Sequence, residues 1–161
     1  MSTMVGSPLP SRHSVRSLLE GLIGRDVDLS DSEPVPPKVT NLVAIYVTDK
    51  LAVSALVVIN IEAGARLAGA LGMLPRAGVD DAIAERGLSG TLKDNCHEIL
   101  NVLSGVFNVP NAPHVRLYEV YGPNGSTPAD IASLAAAVGN RMDVAVKIGG
   151  YGQGILSIVC R

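Results

Sequence analysis

The chain has 161 residues, of which 47% are hydrophobic and 17% charged, and its 13 basic and 15 acidic residues give a formal net charge of -2. A chain of this length buries roughly two-thirds of its unfolded surface in one core. The near-neutral, interspersed charge, with one Phe and no Trp, argues against a nucleic-acid partner, which needs a clustered basic footprint and, for single strands, stacking aromatics. No apolar run reaches the roughly 18 residues of a membrane span. The N-terminus lacks a basic region followed by an apolar one, so the expected compartment is the cytoplasm. Cys96 and Cys160 have no metal-ligand spacing and read as reduced and buried. No pair of His residues is spaced for zinc, and no metal site is expected.

Residues 1–10 hold two prolines, two serines and a glycine without periodicity, and read as a flexible tail. From residue 11 the pattern predicts a single domain to residue 161. Ser11 is placed to cap a helix carrying Val15, Leu18, Leu19, Leu22 and Ile23, which Gly24 stops. Asp28 to Lys38, rich in Asp, Ser and Pro, reads as a solvated loop. Asn41 to Thr48 and Leu51 to Ile61 are aliphatic runs split by Asp49-Lys50, the pattern of two antiparallel strands, expected in the middle of a sheet. Glu62 to Leu74 predicts a helix with Ala63, Leu67, Ala70, Leu71 and Leu74 on one face, ended by Pro75. Asp80 to Gly87 is a short polar connection with some helical character.

Leu88 to Asn108 predicts one amphipathic helix. At about 100° per residue, Leu92, Cys96, Ile99, Leu100, Leu103, Val106 and Phe107 fall in an apolar stripe roughly 120° wide, enough for a core-facing helix. Asp94, Glu98, Asn101 and Gly105 gather within roughly 60° on the opposite side. Two carboxylates, a carboxamide and a bare backbone patch thus form an exposed ridge. Asp94 also has a structural reading, since Thr91 and Asp94 are spaced as a capping box. Glu98 and Asn101 can equally be a solvated helix face, although Asn is a mediocre helix former.

Beyond this helix, Val115 to Tyr121 alternates like a strand, Gly122 to Pro128 is rich in turn residues, and Ala129 to Val138 predicts a short helix begun by Thr127 and Pro128. Met142 to Ile148 and Ile155 to Cys160 flank Gly-Gly-Tyr-Gly-Gln-Gly. This segment reads as a hairpin turn, because no helix or Lys-Ser/Thr pair follows it as a nucleotide loop requires. The mixture of helices and hairpins without a βαβ repeat predicts an α+β fold, helices packed on a largely antiparallel sheet.

The spacing Asp94-x-x-x-Glu98-x-x-Asn101 on such a helix resembles the signature of the CheC/CheX/FliY family, phosphatases of the phosphorylated chemotaxis response regulator CheY. The surrounding order of elements, across most of residues 12–160, is similar to the CheX arrangement. The resemblance implies that Asn101 orients the water attacking the receiver's aspartyl phosphate and that Glu98 anchors to a receiver lysine. Asp94 and Gly105 would lie in the same partner contact, Gly105 removing side-chain bulk where two backbones approach. No cofactor is implied for this chain. The Mg²⁺ would belong to the CheY-like receiver. There is one such site per chain, because Glu20, Glu62 and Glu85 are followed three residues later by Ile23, Ala65 and Leu88 rather than Asn. Position 97 is His, where CheX-type sequences often carry Asn. The alternative is a non-catalytic CheX-like adaptor that binds a receiver or other signalling protein. The resemblance also implies a homodimer, for which the terminal hairpin offers an edge strand.

Overall fold

A computed structural model of the protein describes residues 6–161. One six-stranded antiparallel sheet takes the order β1-β5-β6-β3-β2-β4, from β1 (Val27–Asp31), β2 (Leu42–Val47), β3 (Val53–Ile59), β4 (Arg116–Tyr121), β5 (Arg141–Ile148) and β6 (Gly152–Cys160). Five helices accompany it: α1 (Arg12–Ile23), α2 (Ile61–Leu71), α3 (Arg76–Glu85), α4 (Gly90–Val102) and α5 (Ala129–Ala135). The expected α+β architecture is the one observed.

Local chemistry sets several of these elements where the sequence places them. Ser11 caps α1 by accepting from the Ser14 N–H, and Gly24 closes it in the left-handed region at φ 68°, where a residue without Cβ pays no steric penalty. Asn60 Oδ1 accepts both the Ala63 N–H at 2.9 Å and the Ile155 N–H at 3.0 Å, which joins the start of α2 to β6. The join is close: a Cβ on Gly154 would stand 2.2 Å from the Ala63 nitrogen. The glycine-rich hairpin therefore serves packing as well as turning.

Side chains alternate across the sheet with period two. Leu42, Ala44, Tyr46, Ala55, Val57, Ile59, Leu156 and Ile158 face the layer of α1, α2 and α4. Val43, Ile45, Leu56, Val58 and Val159 face the other way and are covered by Val35 and by Ile131, Leu134 and Ala135 of α5. Because both faces are covered, every residue of β2 is buried, and the strands read as continuous aliphatic runs.

The structure corrects four expectations. The stretch expected as loop from Asp28 begins as strand β1, whose Asp28 to Asp31 pair with Lys147 to Val144 of β5; pairing along an edge overrides the weak strand propensity of Asp and Ser. The flexible tail does not extend to residue 10: Ser7 is buried with its hydroxyl 2.8 Å from that of Ser54, and Pro10 is buried too, while residues 1–5 lie outside the described residues. Strands β3 and β6 are central and β2 lies one place in from the edge, so the β2–β3 pair is not the middle of the sheet. The terminal hairpin is interior, between β1 and β3, and offers no edge for pairing two copies. The edges are β1 and β4, and on β4 the Glu119 carboxylate accepts the Val120 N–H at 3.2 Å, a charged side chain laid over an edge donor.

A polar network holds the second face together. Arg141 donates to both Asp143 oxygens at 2.9 Å and to the carbonyls of Ala135, the last residue of α5, and of Ala137 just beyond it. The Ser157 hydroxyl donates to Asp143 at 2.6 Å and accepts the Val35 N–H at 3.1 Å. Burial works to raise the Asp143 carboxyl, but the hydrogen bonds from Arg141 and Ser157 and the Arg141 charge outweigh it and hold it below the usual carboxylate range. A carboxyl lowered by folding contributes stability above its unfolded value near 3.8, and loses it as pH falls through the lower folded value. Asp143→Asn should therefore cost about 1.5–3 kcal/mol at neutral pH, the scale for hydrogen bonds to a charged group, since the Arg141–Asp143 pair is partly buried. In urea unfolding series, the gap from wild type should shrink below pH 4.

Candidate functional site

Helix α4 starts at Gly90 after Ser89, whose side chain makes no capping bond. Thr91 thus lies inside the helix, and the expected capping box with Asp94 does not form. Cys96, Ile99 and Leu100 are buried, and fully burying an aliphatic side chain of this size contributes about 1.5–3 kcal/mol. Asp94, Glu98 and Asn101 are exposed on the opposite side. Among the described residues none of the three makes a side-chain ion pair. Glu98 and Asn101, three apart on a helix, have Cβ atoms roughly 5–6 Å from each other, so one small group can meet both.

The predicted helix does not run through to Asn108. It tightens at Leu103 into a 3₁₀ turn, Leu103–Val106, which directs Leu103, Val106 and Phe107 into the core. Gly105 lies inside this tighter turn of three residues and remains exposed. A Cβ there would meet only Leu18 Cδ1, at 3.6 Å, an ordinary contact. The chain's own packing does not demand glycine at this position.

Two side chains that sequence reasoning missed fix the helix to the rest of the fold. The Tyr46 hydroxyl, from β2, donates to the Leu100 carbonyl at 2.5 Å, supplying a partner near the helix C-terminus, where carbonyls lack intrahelical donors. Tyr46 is fully buried, and its ring lies tilted on Phe107 with centroids 5.2 Å apart. Burial, with a smaller contribution from Cys96, drives its hydroxyl far above the usual tyrosine value, so it stays a donor. The Asn95 side chain donates to the Ala68 carbonyl of α2 at 3.1 Å. The available signal was a lone Tyr inside an aliphatic strand, where a buried hydroxyl needs a partner.

Neither cysteine is poised as a nucleophile. Burial pushes the Cys96 thiol up to about 12 and the Cys160 thiol up to about 11. His97 is half-buried on the flank of α4. No group of three or more His, Cys, Asp or Glu among the described residues is arranged to hold a metal, and no helix of the structure is long and apolar enough to cross a membrane. A cavity of about 650 Å³ lies on the other face of the sheet between residues 34–39 and α5, and none of the ridge residues lines it.

No family model and no curated protein matches the chain by sequence. Solved structures do match by fold. The FliM middle domain of Vibrio alginolyticus is 11% identical with a TM-score of 0.56, covering 91% of this chain and 85% of that one. FliM in its complex with SpeE from H. pylori is 11% identical with a TM-score of 0.58, covering 92% and 80%. The CheX–CheY–BeF₃–Mg²⁺ complex from Borrelia burgdorferi is 10% identical with a TM-score of 0.52, covering 92% and 93%. The chain has the α+β fold of the FliM middle domain and of CheX.

Tyr46→Phe removes only the hydroxyl and leaves the buried Leu100 carbonyl short of a donor. The expected cost is about 1–3 kcal/mol, visible as a lower urea midpoint. Faster amide hydrogen exchange should be confined to Leu103–Phe107.

Proposed function

We propose that the protein is a phosphatase for the aspartyl phosphate of a CheY-like receiver domain, with Glu98 and Asn101 as the residues that enter the receiver's site. The observation that carries this reading is a carboxylate and a carboxamide one turn apart, both exposed and without ion-pair partners, on a helix clamped from beneath. An aspartyl phosphate is already reactive, and a receiver brings its own Mg²⁺ and lysine, so a partner need add only an oriented nucleophile. Asn101 Oδ1 accepts a hydrogen bond from the water while the amide nitrogen can donate, and neither brings negative charge to the phosphoryl group. The water oxygen bonds to phosphorus as the bond to the receiver carboxylate breaks. Glu98 pairs with the receiver lysine and sets the register, while Asp94 adds charge to the same contact and Gly105 lies at its margin. The fold likeness to a CheX bound to CheY with BeF₃ and Mg²⁺, a phosphoryl mimic and its metal, supports a receiver as the partner and the cytoplasm as the compartment.

The second reading is an adaptor without catalysis, favoured by the fold likeness to FliM, which in one structure binds SpeE. Phosphate loss from radiolabelled phosphoreceivers of the same organism separates the two. Under the phosphatase reading, wild type accelerates the loss and Asn101→Ala reduces that acceleration by about 10²-fold or more. The same variant should gain a few tenths of a kcal/mol of stability, because Ala replaces a weaker helix former on an exposed face. Glu98→Ala should raise KM. Unchanged receiver decay with wild type across all the candidate receivers would leave the adaptor.

A further inference from the structure

Helix α2 ends in a way that costs the fold something. The Leu74 N–H bonds to the Gly69 carbonyl at 2.9 Å and the Met73 N–H to the Ala70 carbonyl at 3.2 Å, the pair of bonds of a Schellman motif. The residue in its left-handed position is Met73, at φ 50°, where glycine is the usual occupant. Met73 is also 81% exposed. A long apolar side chain is thus held in water in a conformation that disfavours any Cβ, which is an outlier of the kind that points to use.

Its surroundings say where that use lies. Neighbouring Gly72 abuts α4: a Cβ there would come within 2.7 Å of Asn95 Nδ2, the group that donates to the Ala68 carbonyl. On the other side, the Tyr151 hydroxyl donates to the Leu74 carbonyl at 2.7 Å. The turn is pinned on both flanks, and the exposed Met73 directly follows the Gly72 that abuts the Asn95 turn of α4. Asp94 is the residue next to Asn95, and Glu98 lies one turn further along. A partner seated on Glu98 and Asn101 with an ordinary footprint of about 800 Å² extends over this turn.

The geometry points to Met73 as an apolar anchor for the receiver, packing on an aliphatic patch beside its phosphorylation site while Glu98 and Asn101 enter that site. The inference rests on the receiver reading above and adds to it the contact that supplies affinity. A thioether on an unbranched stem adapts to such a patch, and holding it in a pinned turn lowers the ordering cost of binding. Leu51 is the useful comparison. It too has a positive φ, 60°, and is 57% exposed, but it stands in the β2–β3 turn.

The test is binding of wild type, Met73→Gly, Met73→Ala, Met73→Leu and Leu51→Gly to receivers activated with BeF₃ and Mg²⁺, by calorimetry, alongside thermal unfolding. Both glycine variants should unfold at higher temperature, since each relieves a left-handed residue. Met73→Gly and Met73→Ala should weaken binding about fivefold or more, the loss that marks an interface anchor. Met73→Leu should keep most of the affinity and Leu51→Gly all of it. In turnover, the Met73 effect should fall on KM with kcat retained. Wild-type binding unaffected by Met73→Gly and Met73→Ala, or an equal loss from Leu51→Gly, overturns the anchor while leaving the receiver reading intact. Failure of wild type to bind any activated receiver overturns both.

Discussion

The centre of the sheet is buried on both faces, and the remaining architecture follows from that constraint. Strands β2, β3 and β6 carry aliphatic side chains on alternate sides, so each face needs its own cover. Helices α1, α2 and α4 supply one cover, while α5 and the segment around Val35 supply the other. With so much of the chain committed to covering the sheet, α4 has one face to give to the core and one left over. Tyr46, the large polar side chain of β2, then fixes the height and rotation of α4 through the Leu100 carbonyl. The position of Asn101, the next residue, follows from a hydroxyl buried in the sheet beneath it.

The second cover is held differently. The Val35 segment and α5 bring fewer apolar side chains to their face, and the Arg141, Asp143 and Ser157 network ties their backbone groups to β5 and β6. A bidentate arginine suits this task because its planar fork satisfies a carboxylate with two donors and still reaches the carbonyls at the end of a helix. Removing one partner from such a cluster costs far more than the cluster gains over an apolar replacement, so it acts mainly to hold one arrangement of the cover.

Much of this was legible in the residues. The period-3.6 pattern with Ser11 and Gly24 gave α1 at both ends, and the paired aliphatic runs gave β2 and β3. The exposed placement of Asp94, Glu98 and Asn101 followed from the helical wheel alone. Strand β1 was hidden because an edge strand built from Asp and Ser draws its stability from its partner rather than from its own composition. The 3₁₀ turn at Leu103 was hidden for a related reason: the wheel assumes one rise and one twist throughout, while the hydroxyl that engages Leu100 comes from a strand 54 residues earlier. The interior position of the terminal hairpin depends on strand order, which periodicity does not encode.

A site completed by another protein differs from an enzyme cleft, and the placement of cavity and ridge fits the difference. Where one chain carries all the chemistry, a pocket encloses the reacting atoms and excludes water. Here the large cavity lies across the sheet from α4, and the polar groups of the ridge stand in solvent. If the receiver holds the phosphoryl group and its metal, the enclosure belongs to the receiver, and an insert must be narrow, rigid and neutral at its tip. A helix presenting one carboxamide meets those needs, provided that it does not shift as the partner closes on it. Rigidity then comes from below, through Tyr46 and Asn95, because any brace on the exposed side would occupy the space the partner must fill.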